Sequence, residues 1–400
     1  MKYPLILDGA TGTNLTLRGL PAGVCPEEWI LQNPEALIDL QRAFVAAGSN
    51  AVYAPTFGAN REKLSRYGLQ DRVAEFNHRL VELSRKAVGP DILVGGDMTA
   101  LGIFTVPMGD ATFEDIYAIY HEQAAVLEEA GVDFFVIETL MSLSEARAAL
   151  LAVKAVSKKP VFVTLTVGEN GKCLDGTDPA AAGAILAALG AAAFGLNCSA
   201  GPDRLREVLA EAAPAIPLPL IAKPNAGLPE MVGDQTVFRL SPADFARDTA
   251  AMAEIGVCIF GGCCGTTPDH IAALRDALEG VTPPVHSEEA LAVPADARHI
   301  FAPVESDLSI DFQEIDEDLS ELLYDLEDED DLLALRIQNQ EDPAILEENL
   351  YLLKNPLALT AEDPALLERA LRAYAGRALI AFDGDLLPFV TRYGAIPLAI

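Results

Sequence analysis

Val257-Cys-Ile-Phe-Gly-Gly-Cys-Cys-Gly-Thr-Thr-Pro-Asp-His-Ile271 reads as three things in succession. Val257–Phe260 is an apolar run of the kind that forms a buried strand. Gly261, Gly262 and Gly265 then break it and wrap two adjacent cysteines. Pro268-Asp-His-Ile271 reads as a helix start, with proline in the first turn. Neighbouring side chains on a strand point to opposite faces, so two sulfurs converge only where the backbone leaves strand geometry. Glycines permit that departure because they reach positive φ at little cost. A third cysteine, Cys198 in Gly195-Leu-Asn-Cys-Ser-Ala-Gly201, has the same setting. Three thiols so placed suit Zn²⁺, with a fourth position left for substrate. The competing readings of Cys263–Cys264 are a buried pair and a vicinal disulfide.

Working outward, the strand–loop–helix unit repeats. Strands are expected at Leu5–Leu7, Ala51–Tyr53, Ile92–Val94, Phe134–Ile137, Val161–Leu165, Ala193–Leu196, Leu220–Ala222 and Val257–Phe260. Amphipathic helices are expected at Pro34–Ala47, Arg72–Val88, Phe113–Ala130, Ser144–Val156, Pro179–Leu189, Asp203–Ala212, Ser241–Ile255 and Pro268–Leu278. Eight β/α units over this length are the size and rhythm of a (β/α)₈ TIM barrel. No GxGxxG follows any strand, which weighs against a doubly wound nucleotide-binding sheet. Unusual residues fall where strands end: Asp8-Gly-Ala-Thr-Gly12, Thr56-Phe-Gly58, Gly95-Gly-Asp97, Glu138-Thr139, Asn197-Cys198, Lys223-Pro-Asn-Ala-Gly227 and Cys263-Cys264. Barrels of this type keep their chemistry at that rim.

Composition narrows the function classes. A formal charge of −32 argues against nucleic acid and anionic membrane surfaces as partners. Six cysteines in 400 residues do not make a disulfide scaffold, and Met1-Lys-Tyr-Pro-Leu-Ile6 does not read as a signal peptide. A reducing cytoplasm is expected, where clustered cysteines point to metal or catalysis. Pro179 to Gly201 is uncharged and long enough to span a bilayer, but it is Ala/Gly-rich and Gly190 splits it, so no membrane span is expected.

The chain divides into a barrel over residues 1–283, an acidic linker over 284–331 and a partial β/α extension over 332–400. Glu305 to Asp331 carries 14 Asp/Glu and no Lys or Arg, interleaved with Leu308, Ile310, Phe312, Ile315, Leu319, Leu322, Leu323 and Leu326. It reads as a solvated tether or as a partly ordered helix. Beyond it, strands at Leu332–Ile337, Pro356–Leu359, Ala378–Phe382 and Ile396–Ile400 alternate with helices from Pro343, from Pro364 and over Leu386–Tyr393. Four strands cannot close a barrel, and their edges call for partners.

Asp8-Gly-Ala-Thr-Gly-Thr13, Gly195-Leu-Asn-Cys-Ser199, Lys223-Pro-Asn-Ala-Gly-Leu-Pro229 and Gly261-Gly-Cys-Cys-Gly-Thr266 together resemble the homocysteine S-methyltransferase family. The likeness is to the homocysteine-binding module of cobalamin-dependent methionine synthase, over about residues 1–280. The resemblance implies a barrel whose Cys198, Cys263 and Cys264 hold zinc, and carboxylates that hold the homocysteine amino group; Asp8 and Glu138 match best. The tail, with Asn355-Pro-Leu-Ala-Leu-Thr360 and Arg372-Ala-Tyr-Ala-Gly-Arg377, is similar to part of a pterin-binding barrel. It departs from that pattern at Ala381-Phe-Asp-Gly384 and is incomplete, so it does not imply a folate site.

The chemistry expected is methyl transfer to the homocysteine thiol, giving methionine. Zinc would deprotonate the acceptor sulfur. The donor read first is methylcobalamin on a separate corrinoid protein, and second an S-methylmethionine- or betaine-type donor. The rival reading is a non-catalytic zinc barrel that docks or regulates a partner. Asp8 could instead be a turn residue, Glu138 could pair with Lys or Arg, and Asn225 could either contact substrate or, like Asn197, orient a loop. His270 lies near the cysteines, but the resemblance leaves the fourth position to substrate. Cys25, Cys173 and Cys258 read as structural.

Overall fold

The computed structural model describes residues 2–233, 235–286, 292–303, 310–315, 319–326 and 331–398. Eight strands form one parallel sheet: β1 (Leu5–Ile6), β2 (Ala51–Ala54), β3 (Leu93–Thr99), β4 (Phe134–Leu140), β5 (Val161–Leu165), β6 (Ala193–Cys198), β7 (Leu220–Pro224) and β8 (Val257–Phe260). Their order is β1-β8-β7-β6-β5-β4-β3-β2. β1 and β2, at the two ends of that order, meet through one backbone and two side-chain hydrogen bonds rather than a full ladder. Asn50 N donates to Ile6 O at 2.7 Å, Ile6 N donates to Asn50 Oδ1 at 3.1 Å, and Tyr53 N donates to Asp8 Oδ2 at 2.9 Å. Asp8 is thus part of the seam that makes the sheet a barrel.

The helices lie between the strands: α1 (Pro34–Ala47), α2 (Val73–Val88), α3 (Phe113–Ala130), α4 (Leu143–Val156), α5 (Pro179–Ala188), α6 (Pro202–Ala212), α7 (Pro242–Ala250) and α8 (Pro268–Ala277). Local sequence explains their starts. Asp178, Ser241 and Thr267 cap α5, α7 and α8, and a proline fills the first position of each. α7 is shorter than its sequence pattern, because a 3₁₀ segment, Ala251–Ile255, finishes it before Gly256. The uncharged stretch examined for membrane insertion is α5 and β6, and no helix among the described residues is long and apolar enough to cross a membrane.

The barrel interior has two layers. Below, Tyr53, Phe134 and Phe162 stack edge-on and tilted, with Leu5, Val136, Ile221 and Ile259 packed around them. Above them, at the C-terminal ends of the strands, the interior turns polar and carries Asp8, Asp97, Glu138 and Lys223, all buried. An apolar floor under a charged mouth confines binding to one end.

The extension begins earlier than the sequence rhythm indicated. Its strands are β9 (Gln313–Glu314), β10 (Leu333–Ile337), β11 (Leu357–Ala361), β12 (Leu379–Ala381) and β13 (Ile396–Pro397), all parallel and in chain order. α9 (Leu319–Asp325), α10 (Asp342–Asn349), α11 (Pro364–Ala373) and α12 (Leu387–Tyr393) connect them. The acidic stretch read as linker therefore supplies a strand and a helix. Its apolar residues explain this, since Ile315, Leu319 and Leu323 are buried. Leu308 and the first residues of that stretch, like Ala399 and Ile400, lie outside the described residues.

The extension docks on the barrel by exchanging helix-end contacts. Glu347 of α10 accepts the first-turn amide of Phe113 in α3 at 2.6 Å. In return Arg147 of α4, only 1% exposed, donates to the last carbonyls of α11: Leu371 O at 2.9 Å and Arg372 O at 3.1 Å. A carboxylate at a helix start and a guanidinium at a helix end both match the helix dipole. Burial lowers the Arg147 pKa to about 10, so it is still a cation at neutral pH. Arg372 adds a forked pair with Glu114 at 2.6 and 2.8 Å and lies 4.3 Å over the Tyr117 ring. Replacing Arg147 by Ala strands two buried carbonyls and leaves a cavity, and should cost about 3 kcal/mol. Urea unfolding of Arg147→Ala checks this; a loss under about 0.5 kcal/mol, the scale of surface changes, would mean that the extension is held elsewhere.

Candidate metal centre and its cavity

Cys198 is the last residue of β6, and Cys263 and Cys264 follow β8. Their sulfurs all lie within 4.8 Å of one another, with Cys198 Sγ and Cys264 Sγ at 3.9 Å, and all three thiols are free. The loop after β7, the strand between, joins the two cysteine loops. Cys263 N donates to Pro224 O at 2.8 Å, Ala226 N to Cys264 O at 2.9 Å, and Asn225 N to Ala200 O at 3.0 Å. Lys223-Pro-Asn-Ala226 is thus the staple that holds the sulfurs in register.

The strain sits differently from the sequence expectation. Gly265 does adopt positive φ, at 80°. Gly261 and Gly262 do not. The turn after β6 is instead made by Cys198 and Ser199, at φ 58° and 59°. Non-glycine residues there cost of order 1–3 kcal/mol each. Ser199 is held by Thr166 Oγ1 and by the Val167 amide, both at 2.8 Å. Gly262 has another role: a Cβ there would collide with Thr266, whose hydroxyl donates to Cys263 O at 2.7 Å and accepts from Ala10 N at 3.0 Å.

Zinc bonded to sulfur at about 2.3 Å in a tetrahedron sets sulfurs about 3.8 Å apart. The Cys198–Cys264 pair, at 3.9 Å, matches that spacing, Cys263 lies within 4.8 Å of both, and the ligand type is one that suits zinc. Among the described residues no fourth His, Cys or carboxylate joins the group. His270 is engaged elsewhere: Nδ1 caps α8 with Thr267 at 2.9 Å and Nε2 meets Leu240 O at 3.0 Å. Without metal, the three thiols share their protons unequally. Hydrogen bonds from Cys263 and Cys264 pull Cys198 down to about 3. The same bond pushes Cys264 up to about 11, and Cys263 lies well above the ordinary thiol value.

Beside the sulfurs is a cavity of about 370 Å³, lined by Asp8, Asp97, Glu138, Lys223 and Tyr53 among others. Lys223 stands between Asp8 and Glu138, its Nζ 3.6 Å from Asp8 Oδ1 and 3.5 Å from Glu138 Oε2, and 3.6 Å from the Tyr53 ring centroid. Burial by itself would neutralise the lysine, but Glu138, Tyr53 and Asp8 outweigh it and hold the pKa well above the usual value. Burial raises Asp8 to about 6 against the pull of Lys223. Glu138 does therefore pair with a lysine, one of the two readings open in the sequence. Lys223 stands in a quoted motif without an assigned role, and its place at a strand end was the signal that could have singled it out.

Asn197 ties strand ends together and reaches the trio: Oδ1 accepts from Thr139 N and Thr164 Oγ1, each at 2.9 Å, and Nδ2 donates to Thr139 Oγ1 at 2.7 Å and to Cys263 Sγ at 3.9 Å. Asn225 is buried beside the trio, and its side chain helps to lower the Cys198 pKa. Cys25, Cys173 and Cys258 are buried away from the trio.

The profile of the family described as homocysteine S-methyltransferase matches residues 5–278. The chain belongs to that family. It is a family of methyltransferase enzymes, and its barrel is the part matched here. Methionine synthases of Mycobacterium leprae (strain TN) and Mycobacterium tuberculosis are each 31% identical to this homocysteine S-methyltransferase family member over 70% of its length. The matched part is 25% of each of those proteins, so the chain spans about a quarter of their length. Among solved structures, the homocysteine methyltransferase MmuM from Escherichia coli in its oxidized form superposes with a TM-score of 0.57 at 26% identity, over 68% of this chain and 95% of MmuM. Its metallated form gives 0.56 at 25% identity with the same coverage.

Gly262→Ala should displace Thr266 from Cys263 O and disturb the trio without touching a sulfur. Losses of about 10- to 100-fold in metal affinity are usual for such supporting contacts. Competition for zinc with a coloured chelator measures it; unchanged affinity would show that Thr266 is not needed to aim Cys263.

Proposed function

We propose that this chain transfers a methyl group to the thiol of homocysteine, forming methionine, at a zinc ion held by Cys198, Cys263 and Cys264. The observation that carries this reading is the trio of free sulfurs, close enough to share one ion and with no fourth protein ligand among the described residues, beside a cavity lined by buried carboxylates. The proposed donor is methylcobalamin on a separate corrinoid protein, which the likeness to methionine synthases supports. Six free cysteines suit a reducing, cytoplasmic setting.

Zinc bound by three thiolates would lower the pKa of a thiol that joins it, so that the acceptor sulfur is nucleophilic at neutral pH. The chain's own residues then position the acceptor. Asp8 and Glu138 take its ammonium group, while Asn225 and the loop after β7 keep the sulfur ligands aimed at the cavity. The apolar floor of Tyr53 and Phe134 closes the lower end against water. In the transfer an S–CH₃ bond forms on the acceptor thiolate as the bond from methyl to donor breaks, and the donor keeps that electron pair.

Zinc content and methionine formation from homocysteine, measured together across methylcobalamin, S-methylmethionine and betaine, test the reading. One zinc per chain and transfer from methylcobalamin are expected. Cys263→Ser should lose most of the zinc and reduce transfer by at least about 10³-fold, the scale of losing an activated nucleophile. Full activity after chelation to below one zinc in a hundred chains would refute it, and transfer only from a sulfonium or betaine would replace the donor.

A further inference from the structure

Asp97 is the buried acid that the reading above leaves without a task. It lies on β3, is 6% exposed and lines the same cavity as Asp8 and Glu138. Its backbone is fixed by Thr56: Asp97 N donates to Thr56 Oγ1 at 2.9 Å, and Thr56 Oγ1 donates to Asp97 O at 2.8 Å. Its carboxylate has no such anchor, and among the described residues no donor reaches the buried Oδ1. Glu27 lines the cavity too, but its oxygens are taken by Gly58 N at 2.8 Å and Cys25 Sγ at 3.3 Å.

Two more buried carboxylate oxygens lack a short hydrogen bond. Asp8 Oδ1 and Glu138 Oε2 share the Lys223 ammonium in long ion pairs, at 3.6 and 3.5 Å. The cavity therefore sets three buried carboxylate oxygens, one from each of three acids, against one resident cation, and among the described residues Asp97 Oδ1 is the one of the three with neither a hydrogen bond nor an ion pair. Buried acceptors left this way are costly and call for a donor. A primary ammonium carries three N–H donors and one positive charge. It would supply both what the oxygens lack and what the charge balance lacks.

We propose that Asp97 is a third carboxylate of the acceptor's ammonium subsite, with Lys223 as the fixed counter-ion that keeps three acids together in its absence. The inference rests on the homocysteine reading. It makes Asp97 a specificity residue: it selects an amino-acid thiol over a thiol of the same carbon skeleton that lacks the amino group. Asp97→Asn keeps shape and volume but cannot become a carboxylate for a bound cation, and presents an amide.

Calorimetric binding to the zinc-loaded protein tests this without any methyl donor. L-Homocysteine and 4-mercaptobutanoate, its counterpart without the amino group, are titrated into the wild type and into Asp97→Asn. The wild type should bind homocysteine more tightly. The variant should lose at least about tenfold in Kd for homocysteine, the scale of one charge-assisted hydrogen bond. Its Kd for 4-mercaptobutanoate should not weaken, which also shows that the variant is folded and holds its metal. Equal losses for the two thiols, or none for homocysteine, would overturn the role of Asp97 alone. A wild type that binds neither thiol would overturn the homocysteine reading, and this inference with it.

Discussion

Three sulfurs that reach one point from two strand ends are the constraint from which the rest of the site follows. A strand cannot deliver adjacent side chains to one place, so the chain must leave strand geometry just where the ligands stand. After β8 it does so through Gly261-Gly-Cys-Cys-Gly265; after β6 the left-handed turn falls on Cys198 and Ser199 themselves. That arrangement is strained, and it persists because Ser199 is tied to Thr166 and Val167 and because the loop after β7 bonds to both cysteine loops. The barrel contributes the closeness of β6, β7 and β8, which no local sequence could supply.

A second balance is electrostatic. Acids gathered at the mouth of a barrel would repel one another if left alone. Lys223 moderates this from the neighbouring strand, packed on the face of Tyr53, and Asp8 is further held by the Tyr53 amide at the barrel seam. The same residues that close the barrel thus shape its cavity. An ammonium-bearing ligand entering there would meet Asp8 already held by the seam, which spares the cost of ordering that acceptor on binding.

Much of this was readable in the chain because local pattern and global fold agree. Each of the eight barrel strands and each of their helices has its own signature, from the apolar run of Phe134–Ile137 to the cap and proline that start α8. Cys198, Cys263 and Cys264 stood out because sulfur at a strand end beside glycines is rare enough to notice. What escaped the sequence was set at long range. Lys223 and Glu138 lie on different strands, and nothing near either one announces their pairing. Arg147 reads as a surface residue of an amphipathic helix until the ends of α11, more than 200 positions later, fold against it. β9 has two residues in a run of acids, too few for any periodicity, and exists because β10 is there to pair with it.

The central claim concerns the coordination of one ion, and X-ray absorption at the zinc edge reads that directly. The account predicts three sulfurs at about 2.3 Å and one lighter ligand in the loaded protein, becoming four sulfurs when homocysteine is added. A zinc shell that is already four protein ligands, or one that homocysteine leaves unchanged, would contradict it.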